Sequence, residues 1–368
     1  MLQRPNVFRI DLRAVAACTR EVRAVIGPGR PFIATLKAAG YGYGVLPIAT
    51  TVLKNGADAL SMSSLSDAVA LRNAGIDVPI LVYAGALADA ECVAAHQEFS
   101  LIPSLHDEAS FQGFAEHLTG RLRVAVKVDI GPERIGIALS QALAFIRKVH
   151  AHPSMELHAI HAHPNVQRGD GEEAMECMQW QYHRFAGLRE ELAADGIKVP
   201  WFAMASSKVL KMTGSDMVLG AADPGAALFS SLSGGPAQAF AQLSTRLLTV
   251  RTVERSEYLQ QAAFDMRPGM RIGVLPIGYS DGVHRVHAGS VLVRGHRAPI
   301  VGRPALEYTR IDLSGVPDAQ AGDEVLIIGR QGNAVIPPEE ACAFQGAARV
   351  IDLALQIGPA VQREYVNG

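Results

Sequence analysis

The chain has 368 residues, of which 34 are Lys or Arg and 36 are Asp or Glu, so its formal net charge is -2. Hydrophobic residues make up 49% and charged residues 19%, a composition that allows a large core and excludes intrinsic disorder. The near balance of charge argues against a nucleic-acid partner, because nucleic acids select basic surfaces.

Up to about residue 235, short apolar runs alternate with amphipathic segments. The runs predict strands at residues 32–36, 59–62, 80–83, 101–102, 122–128, 157–163, 202–205 and 217–219. The segments between them predict helices at 45–53, at 68–73 with a cap at Ser66-Asp67, at 139–150 and at 172–195. About eight strands alternating with helices imply parallel βα units, and eight such units closing on themselves form a (β/α)8 TIM-type barrel.

After about residue 238 the pattern changes to short strands separated by Gly and Asp turns. Strands are predicted at 247–253, 270–276, 290–293, 298–301, 310–313 and 324–328, with turns at 321–323 and 329–332. We therefore expect a mostly β C-terminal domain. The predicted division is an N-terminal strand associated with the β domain (1–10), the barrel (11–237) and the β domain (238–368).

The chain has four scattered cysteines (Cys18, Cys92, Cys177 and Cys342) and no CxxC pair. This excludes a disulfide scaffold and a cysteine zinc site, and it is typical of a reducing compartment. No run of about 18 apolar residues predicts a membrane span, and the N-terminus lacks the apolar segment of a signal peptide. We therefore expect a cytoplasmic protein with no membrane partner.

In a barrel of this kind, functional groups lie where the strands end. We expect these polar side chains to converge on one mouth of the barrel. They are Lys37, Lys127, Asp129, Arg134, His161, His163, Ser206, Ser207 and Asp223.

Lys37 is the most informative of these residues. Burying an ammonium group is costly, so a lysine at the end of an apolar strand either points to the surface or has a task. Desolvation lowers the pKa of a lysine and makes its amine nucleophilic, which suits Schiff-base chemistry. Gly40, Gly42 and Gly44 follow it, and they let the backbone pass close to a bulky ligand.

Seven motifs in order along the chain resemble those of the alanine racemase family, whose members use pyridoxal 5'-phosphate. They are Arg9-Ile-Asp-Leu12, Leu36-Lys37-Ala-Ala-Gly-Tyr41-Gly-Tyr-Gly44, Lys127-Val-Asp-Ile-Gly131 with Arg134-Ile-Gly136, Pro276-Ile-Gly-Tyr279-Ser-Asp-Gly282, Ala298-Pro-Ile-Val-Gly-Arg303, Gly322–Gly329 and Val361-Gln-Arg-Glu-Tyr365. The resemblance covers nearly the whole chain. It implies a barrel followed by a β domain, and a cofactor-dependent amino-acid racemase.

The resemblance implies two catalytic residues. Lys37 would hold the cofactor covalently and act as one base, and Tyr279 would be the base on the opposite face. Racemisation removes the α-proton on one side and returns a proton on the other, so two groups must flank the reacting carbon. Tyr279 would be supplied by the second subunit across an interface, so the resemblance implies a homodimer. The substrate would be a small amino acid.

The resemblance also implies the groups that hold the cofactor phosphate. They would be Ser207, the backbone N–H groups of Gly225 and Ala226, and Tyr365, with Tyr41 supporting this region. A dianionic phosphate needs several oriented donors and little steric bulk. Ser-Ser and Pro-Gly pairs are also ordinary turn residues, which is the alternative interpretation.

Further roles follow from the same resemblance. Arg134 would lie near the phenolic oxygen of the cofactor and the substrate carboxylate. Lys127 matches a lysine that is carbamylated in some members and supports that arginine; an unmodified lysine paired with a carboxylate is the alternative. His163 would pack by the cofactor ring and hydrogen-bond toward Asp223, and Leu306 would contact substrate. No metal site is expected.

Asp223 departs from the family pattern, in which an arginine faces the pyridine nitrogen and keeps it unprotonated. A carboxylate would favour the protonated ring instead. The alternative is that Asp223 turns outward or pairs with His163. Leu306, Glu307 and Tyr308 also differ from the usual Met, Asp and Gln. The sequence therefore leaves the identity of the amino-acid substrate open, and alanine is one candidate.

Three other functions remain open at this stage. An enzyme with the same cofactor and a different reaction (aldol cleavage, decarboxylation or transamination) is favoured by Asp223, although the context of Cys342 does not match the decarboxylase branch. A cofactor carrier without catalysis usually lacks a β domain. A metal-dependent hydrolase would use His158, His161 and His163, but no supporting set of strand-end ligands is evident.

Overall fold

A computed structural model of the chain describes residues 4–83, 85, 87–165, 171–254, 266–283 and 289–368. They form two compact units. The barrel unit comprises residues 14–40 and 44–237, and the β unit comprises the described part of 1–13, residues 41–43 and 238–368. The predicted boundaries did not assign 41–43 to the β unit. These residues group there because Tyr43 packs against Phe8, with ring centroids 5.6 Å apart, and its carbonyl accepts from the Tyr365 hydroxyl.

Eight parallel strands make the barrel. They are β2 (Ile33–Thr35), β3 (Ala59–Met62), β4 (Ile80–Val82), β5 (Ile102–Leu105), β6 (Leu122–Asp129), β8 (Met155–His161), β9 (Trp201–Ala205) and β10 (Ala221–Ala222), with β7 (Ile137–Ala138) paired to β6. A parallel bridge between Phe32 and Ala222 joins the first and last strands. Small and branched side chains from successive strands fill the interior, including Ile33, Ala59 and Ala125.

Helices follow the strands on the outside, as the alternating pattern predicts. They are α1 (Leu12–Ile26), α2 (Lys37–Tyr41), α3 (Val45–Lys54), α4 (Leu65–Asn73), α5 (Ala90–Glu98), α6 (Glu108–His117), α7 (Leu139–Ala151), α8 (Glu172–Ala194) and α9 (Ser207–Thr213). Helix α1 buries Val15, Val22 and Ile26 along one side, the spacing of an amphipathic helix.

Two details of the barrel prediction were wrong. The apolar run at 217–219 is a turn, closed by the Val218 N–H on the Ser215 carbonyl, and the last strand is the alanine pair β10. Helix α4 is capped by Ser64, whose Oγ accepts from the Asp67 N–H at 3.0 Å. Ser64 precedes the first helical residue and is therefore the residue whose side chain can reach that amide.

The β unit is built on the N-terminal strand β1 (Val7–Asp11). Its main sheet also contains β11 (Phe240–Arg246), β14 (Ser290–Val293), β15 (His296–Pro299), β17 (Glu324–Gln331), β18 (Ala334–Ile336) and β19 (Gln362–Val366), and a second sheet contains β12 (Thr249–Thr252), β13 (Arg271–Leu275) and β16 (Thr309–Asp312). Strand β1 pairs antiparallel with β11 and parallel with β19. Helices α10 (Pro338–Gln345) and α11 (Val350–Gln356) precede β19.

The predicted fold class, a (β/α)8 barrel followed by a mostly β domain, is confirmed. The turn predicted at 329–332 was placed too early, because β17 continues through Gly329 to Gln331 and pairs with β18. The strand predicted at 298–301 begins at His296 and ends at Pro299. No helix among the described residues is long and apolar enough to cross a bilayer.

Candidate active site

One cavity in the barrel unit collects the strand-end residues. Seven of the nine residues predicted from strand ends line it, and they are Lys37, Lys127, Asp129, Arg134, His161, His163 and Asp223. The carboxyl ends of β2, β6, β8 and β10 therefore form the site.

Lys37 follows β2 and opens a turn of unusual hand. Ala38, Ala39 and Gly40 have φ values of 48°, 53° and 65°, so α2 is a left-handed turn. The Lys37 ammonium lies 4.4 Å from the centre of the Tyr83 ring. Burial lowers the pKa of Lys37; Asp223 opposes this shift and Arg134 adds to it. The amine is thus deprotonated more readily than that of an exposed lysine.

Lys127 lies on β6 with only 9% of its surface exposed. Burial lowers its pKa to about 8, and the positive charges of Lys37 and Arg134 act in the same direction. Asp223 is the main group that opposes the shift. This lysine therefore adds positive charge beside the cavity below pH 8 and loses it above.

Asp223 follows β10 and is 8% exposed. Its Oδ2 accepts a hydrogen bond from the Tyr83 hydroxyl at 2.9 Å, and its backbone carbonyl accepts from the Thr35 hydroxyl at 2.8 Å. Oδ1 is buried and has no hydrogen-bond partner among the described residues. Burial raises the pKa of Asp223, whereas Lys127 and the Tyr83 hydrogen bond lower it. The outward orientation considered for Asp223 is wrong, and so is the pairing with His163, because Tyr83 takes that place.

His163 lies just beyond the end of β8, on the exposed rim of the cavity. Desolvation of the imidazole by the surrounding protein lowers the pKa of His163, and the positive charges of Lys127 and Lys37 add to this effect. A neutral imidazole at this point can pack against an aromatic ligand. The predicted packing against the cofactor ring stays a prediction.

Tyr83, Ser104 and His161 are polar neighbours that line the cavity, and of these three the predicted site residues included only His161. The Tyr83 ring lies 5.1 Å from the His161 ring, and His161 Nε2 is 2.6 Å from Ser104 Oγ. Ser61 Oγ donates to the Tyr83 hydroxyl at 3.0 Å. The strand-end rule could have identified Tyr83, since it ends the apolar run at 80–83.

Asp129 organises the loop that carries Arg134. Its two carboxylate oxygens accept from the backbone N–H groups of Gly131 at 2.9 Å, Glu133 at 3.2 Å and Arg134 at 2.6 Å. These three bonds hold the loop against the end of β6. The Arg134 side chain is exposed and lines the cavity, where a substrate carboxylate can reach it.

The predicted phosphate site lies where α9 begins. Ser207 Oγ accepts from the backbone N–H groups of Gly225 and Ala227, both at 3.0 Å. Ala226 is the first residue of a short 3-10 helix at Ala226–Leu228, and the role of its N–H group as a phosphate donor stays a prediction. Two backbone donors and a hydroxyl in one place are suited to an anion.

In the β unit, Tyr279 begins a 3-10 helix at Tyr279–Asp281. Its N–H donates to the Ala305 carbonyl at 3.0 Å. A Cβ on the preceding Gly278 would lie 2.3 Å from the same carbonyl oxygen, so only glycine fits there. Asp281 is fully buried and accepts from Arg4 at 2.9 and 3.0 Å. Tyr279 is thus carried on a closely packed turn.

Three further predicted residues lie in the β unit. Leu306 is 53% exposed, and its carbonyl accepts from the Ser280 hydroxyl at 2.7 Å. The Tyr365 hydroxyl donates to the Tyr43 carbonyl at 2.9 Å. Tyr41 ends the left-handed turn with φ 55°. Contacts of these residues with substrate or cofactor stay predictions.

The barrel residues fit pyridoxal phosphate. Lys37 supplies an amine of lowered pKa for an aldehyde, and Ser207 with its two backbone donors suits a phosphate. Oδ1 of Asp223 has no hydrogen-bond partner among the described residues and can accept from an N–H group of a ligand; its pairing with the ring nitrogen stays a prediction.

The three histidines considered as metal ligands do not form a ligand set. His161 Nε2 is 2.6 Å from Ser104 Oγ, and His158 packs against Trp201 with ring centroids 4.4 Å apart. Throughout the described ranges, no group of three or more His, Cys, Asp or Glu side chains could hold a metal ion.

Comparisons with known proteins match nearly the whole chain to one family. Residues 10–232 match the family model "Alanine racemase, N-terminal domain", and residues 240–365 match "Alanine racemase, C-terminal domain". The chain is 30% identical over 377 residues to an alanine racemase of Desulfovibrio desulfuricans, covering 99% of both chains, and 28% identical to one of Methanococcus maripaludis, covering 92% and 93%.

Solved structures show the same fold. An alanine racemase from Bacillus anthracis with bound L-Ala-P superposes with a TM-score of 0.86 at 23% identity, covering 100% of this chain and 96% of that one. One from E. faecalis superposes with a TM-score of 0.83 at 24% identity, covering 98% of each chain.

Proposed function

The chain belongs to the alanine racemase family, and on this premise we propose that it inverts a small amino acid by proton transfer at Cα between two bases, Lys37 and Tyr279. Membership makes the protein a pyridoxal-phosphate-dependent racemase. The family, the reaction class and the cofactor expected from the sequence motifs are thereby confirmed.

The observation that carries the two-base proposal is the placement of Lys37. Its amine lies at the barrel mouth, its pKa is lowered by burial, and Arg134 lines the same cavity. An amine in this state can take a proton from one face of the α-carbon and return it. Arg134 would hold the substrate carboxylate and so fix which bond at the α-carbon faces Lys37.

Pyridoxal phosphate, when bound, supplies a conjugated ring that accepts the electron pair left at the α-carbon. Lys37 would hold it, and Ser207 with the backbone N–H groups of Gly225, Ala226 and Ala227 would bind its phosphate. Asp223 would keep a proton on its ring nitrogen. Lys127, a neighbour of these groups, would add positive charge on the side of Arg134.

The second proton must come from the opposite face, so a second base is required. Tyr279 is the candidate, because the turn around Gly278 and Asp281 holds it in one backbone conformation. We assign it to the site of a partner subunit, which makes the active form a homodimer. A cytoplasmic location is part of the same proposal.

We propose that the segment 306–308 contacts the side chain of the amino-acid substrate and so limits its size and polarity. Leu306 and Tyr308 are 53% and 50% exposed, and Glu307 lies 3.6 Å from Arg4. Exposed side chains of this size and charge can accept a substrate larger or more polar than alanine. Alanine itself remains within the proposed range.

The test is incubation with a panel of L- and D-amino acids in deuterium oxide, followed by chiral chromatography and mass spectrometry. We expect α-deuterium in the inverted product, and we expect Tyr279→Phe to abolish inversion. Tyr182→Phe, on α8 and away from the cavity, is the matched control and should keep inversion. Exchange without inversion, loss of carbon dioxide or release of an aldehyde would assign a different reaction.

A further inference from the structure

Two hydroxyl groups donate to Asp223, and a third donates to one of these two. The Thr35 hydroxyl donates to the Asp223 carbonyl at 2.8 Å, and the Tyr83 hydroxyl donates to Oδ2 at 2.9 Å. Ser61 in turn donates to the Tyr83 oxygen at 3.0 Å. Each hydroxyl has one proton to give. With these protons assigned, Asp223 is an acceptor at both its backbone and its carboxylate.

The second carboxylate oxygen is left over. Oδ1 of Asp223 is buried, it has no partner among the described residues, and Asp223 lines the cavity. A buried carboxylate oxygen without a donor is costly, so a ligand that brings an N–H group is stabilised there. Lys127 and Lys37 favour the ionised carboxylate, although neither of them forms an ion pair with it.

We propose that Tyr83 is a positioning residue, which fixes the Asp223 carboxylate through Oδ2 and leaves Oδ1 as the acceptor for a protonated ring nitrogen of the cofactor. The inference rests on the proposed function. It adds a residue that the family resemblance did not supply, and it names the form of the cofactor that the site selects.

Tyr83 is suited to this role because its two parts do different things. The ring lies against the Lys37 ammonium at 4.4 Å and against His161 at 5.1 Å, whereas the hydroxyl reaches Asp223. Phenylalanine would keep the ring contacts and remove only the hydroxyl. Tyr83→Phe therefore separates the positioning of Asp223 from the packing around Lys37.

The experiment compares the binding of two cofactors to the full-length protein. One is pyridoxal phosphate, and the other is its carbocyclic analogue, in which C–H replaces the ring nitrogen. Dissociation constants are measured by titration for the wild type, Tyr83→Phe, Asp223→Asn, the double variant and the control Tyr182→Phe. The readout is the ratio of the two constants, which does not depend on turnover.

We expect the wild type to prefer pyridoxal phosphate and Tyr83→Phe to lose about tenfold of that preference, the worth of one hydrogen bond to a charged group. In the Asp223→Asn background the Tyr83→Phe change should have no further effect on the ratio, and Tyr182→Phe should match the wild type. If Tyr83→Phe weakens both cofactors equally, its role is structural and the inference is wrong.

Two further measurements keep the inference testable. Should Tyr83→Phe fail to fold, Ser61→Ala removes the donor to the Tyr83 oxygen and should shift the ratio in the same direction by a smaller factor. Borohydride trapping of wild type at Lys37 separates the two proposals. Absence of an adduct overturns the proposed function, whereas an adduct together with an unchanged ratio in Tyr83→Phe overturns only the role of Tyr83.

Discussion

Replacing Asp129 tests how the loop that carries Arg134 is held. Asp129→Ala removes the acceptors of three backbone N–H groups, those of Gly131, Glu133 and Arg134. Asp129→Asn is the matched variant, because it keeps the shape of the side chain and one acceptor oxygen. Comparison of the two variants therefore shows how much each carboxylate oxygen of Asp129 contributes to the order of the loop.

The size of the effect follows from the number and exposure of these bonds. A hydrogen bond contributes about 0.5–1.5 kcal/mol net. The three bonds to Asp129 lie in an exposed loop, where water replaces a lost partner, so the lower value applies. Three bonds then give about 1.5 kcal/mol, which is about tenfold in the equilibrium constant between the ordered and the disordered loop.

The assay is competitive binding of propionate, a small carboxylate that Arg134 should hold, together with amide hydrogen exchange of the loop. We expect binding to be weaker by up to about tenfold for Asp129→Ala, with an intermediate value for Asp129→Asn and a melting temperature close to wild type. Faster exchange at Gly131 and Arg134 should accompany the loss. Rapid exchange with undiminished propionate binding would refute the link between loop order and Arg134, and unchanged exchange would refute the role of Asp129.

Further expectations concern charge, backbone space and the β unit. The pKa of Lys127 is about 8 in the folded protein against 10.5 when exposed, so the unfolded chain binds more protons between these pH values. The free energy of unfolding should therefore rise between about pH 8 and pH 10.5, by at most about 3 kcal/mol. Urea titrations over this range should show a weaker dependence of stability on pH for Lys127→Met. Gly136→Ala should lower the free energy of unfolding by about 2 kcal/mol or more, because φ is +132° and the new Cβ would lie 2.7 Å from a backbone nitrogen of β6. Gly187→Ala, in open space on α8, should raise the free energy of unfolding by up to about 1 kcal/mol. Equal melting temperatures for the two variants would contradict both expectations. Arg4→Ala leaves the buried carboxylate of Asp281 without its cation and should cost about 3–5 kcal/mol in denaturant unfolding, whereas a loss within 1 kcal/mol of zero would show that the pair is dispensable.

The barrel could be predicted from the sequence because its strands are apolar runs of the expected length. The last strand could not, since Ala221 and Ala222 carry no strand signal, whereas the more apolar run at 217–219 is buried in a turn. Burial and strand formation are different properties, and apolar content reports only the first. The β17–β18 hairpin was missed for a related reason, as Gly329 lies inside a strand and was interpreted as a turn.

The site could be predicted as far as the strand-end rule extends. Lys37 and Arg134 were found because strand ends in a barrel meet at one face, whatever their separation in sequence. The contact of Tyr83 with Asp223 joins residues 140 positions apart, and no local pattern indicates which polar groups pair across the cavity. The same holds for the hydrogen bond from the Ala227 N–H to the Ser207 hydroxyl, which joins residues 20 positions apart.

The hydroxyl of Ser207 has a consequence for how an anion is received. It already engages two main-chain amides, so their spacing is set before any ligand arrives, and neither amide lacks an acceptor in the meantime. Binding of the proposed phosphate at this end of the barrel would then require rotation of the Ser207 side chain and no rearrangement of the backbone. The backbone at this site would then lose little conformational entropy on binding, which favours high affinity for a rigid, doubly charged phosphate group.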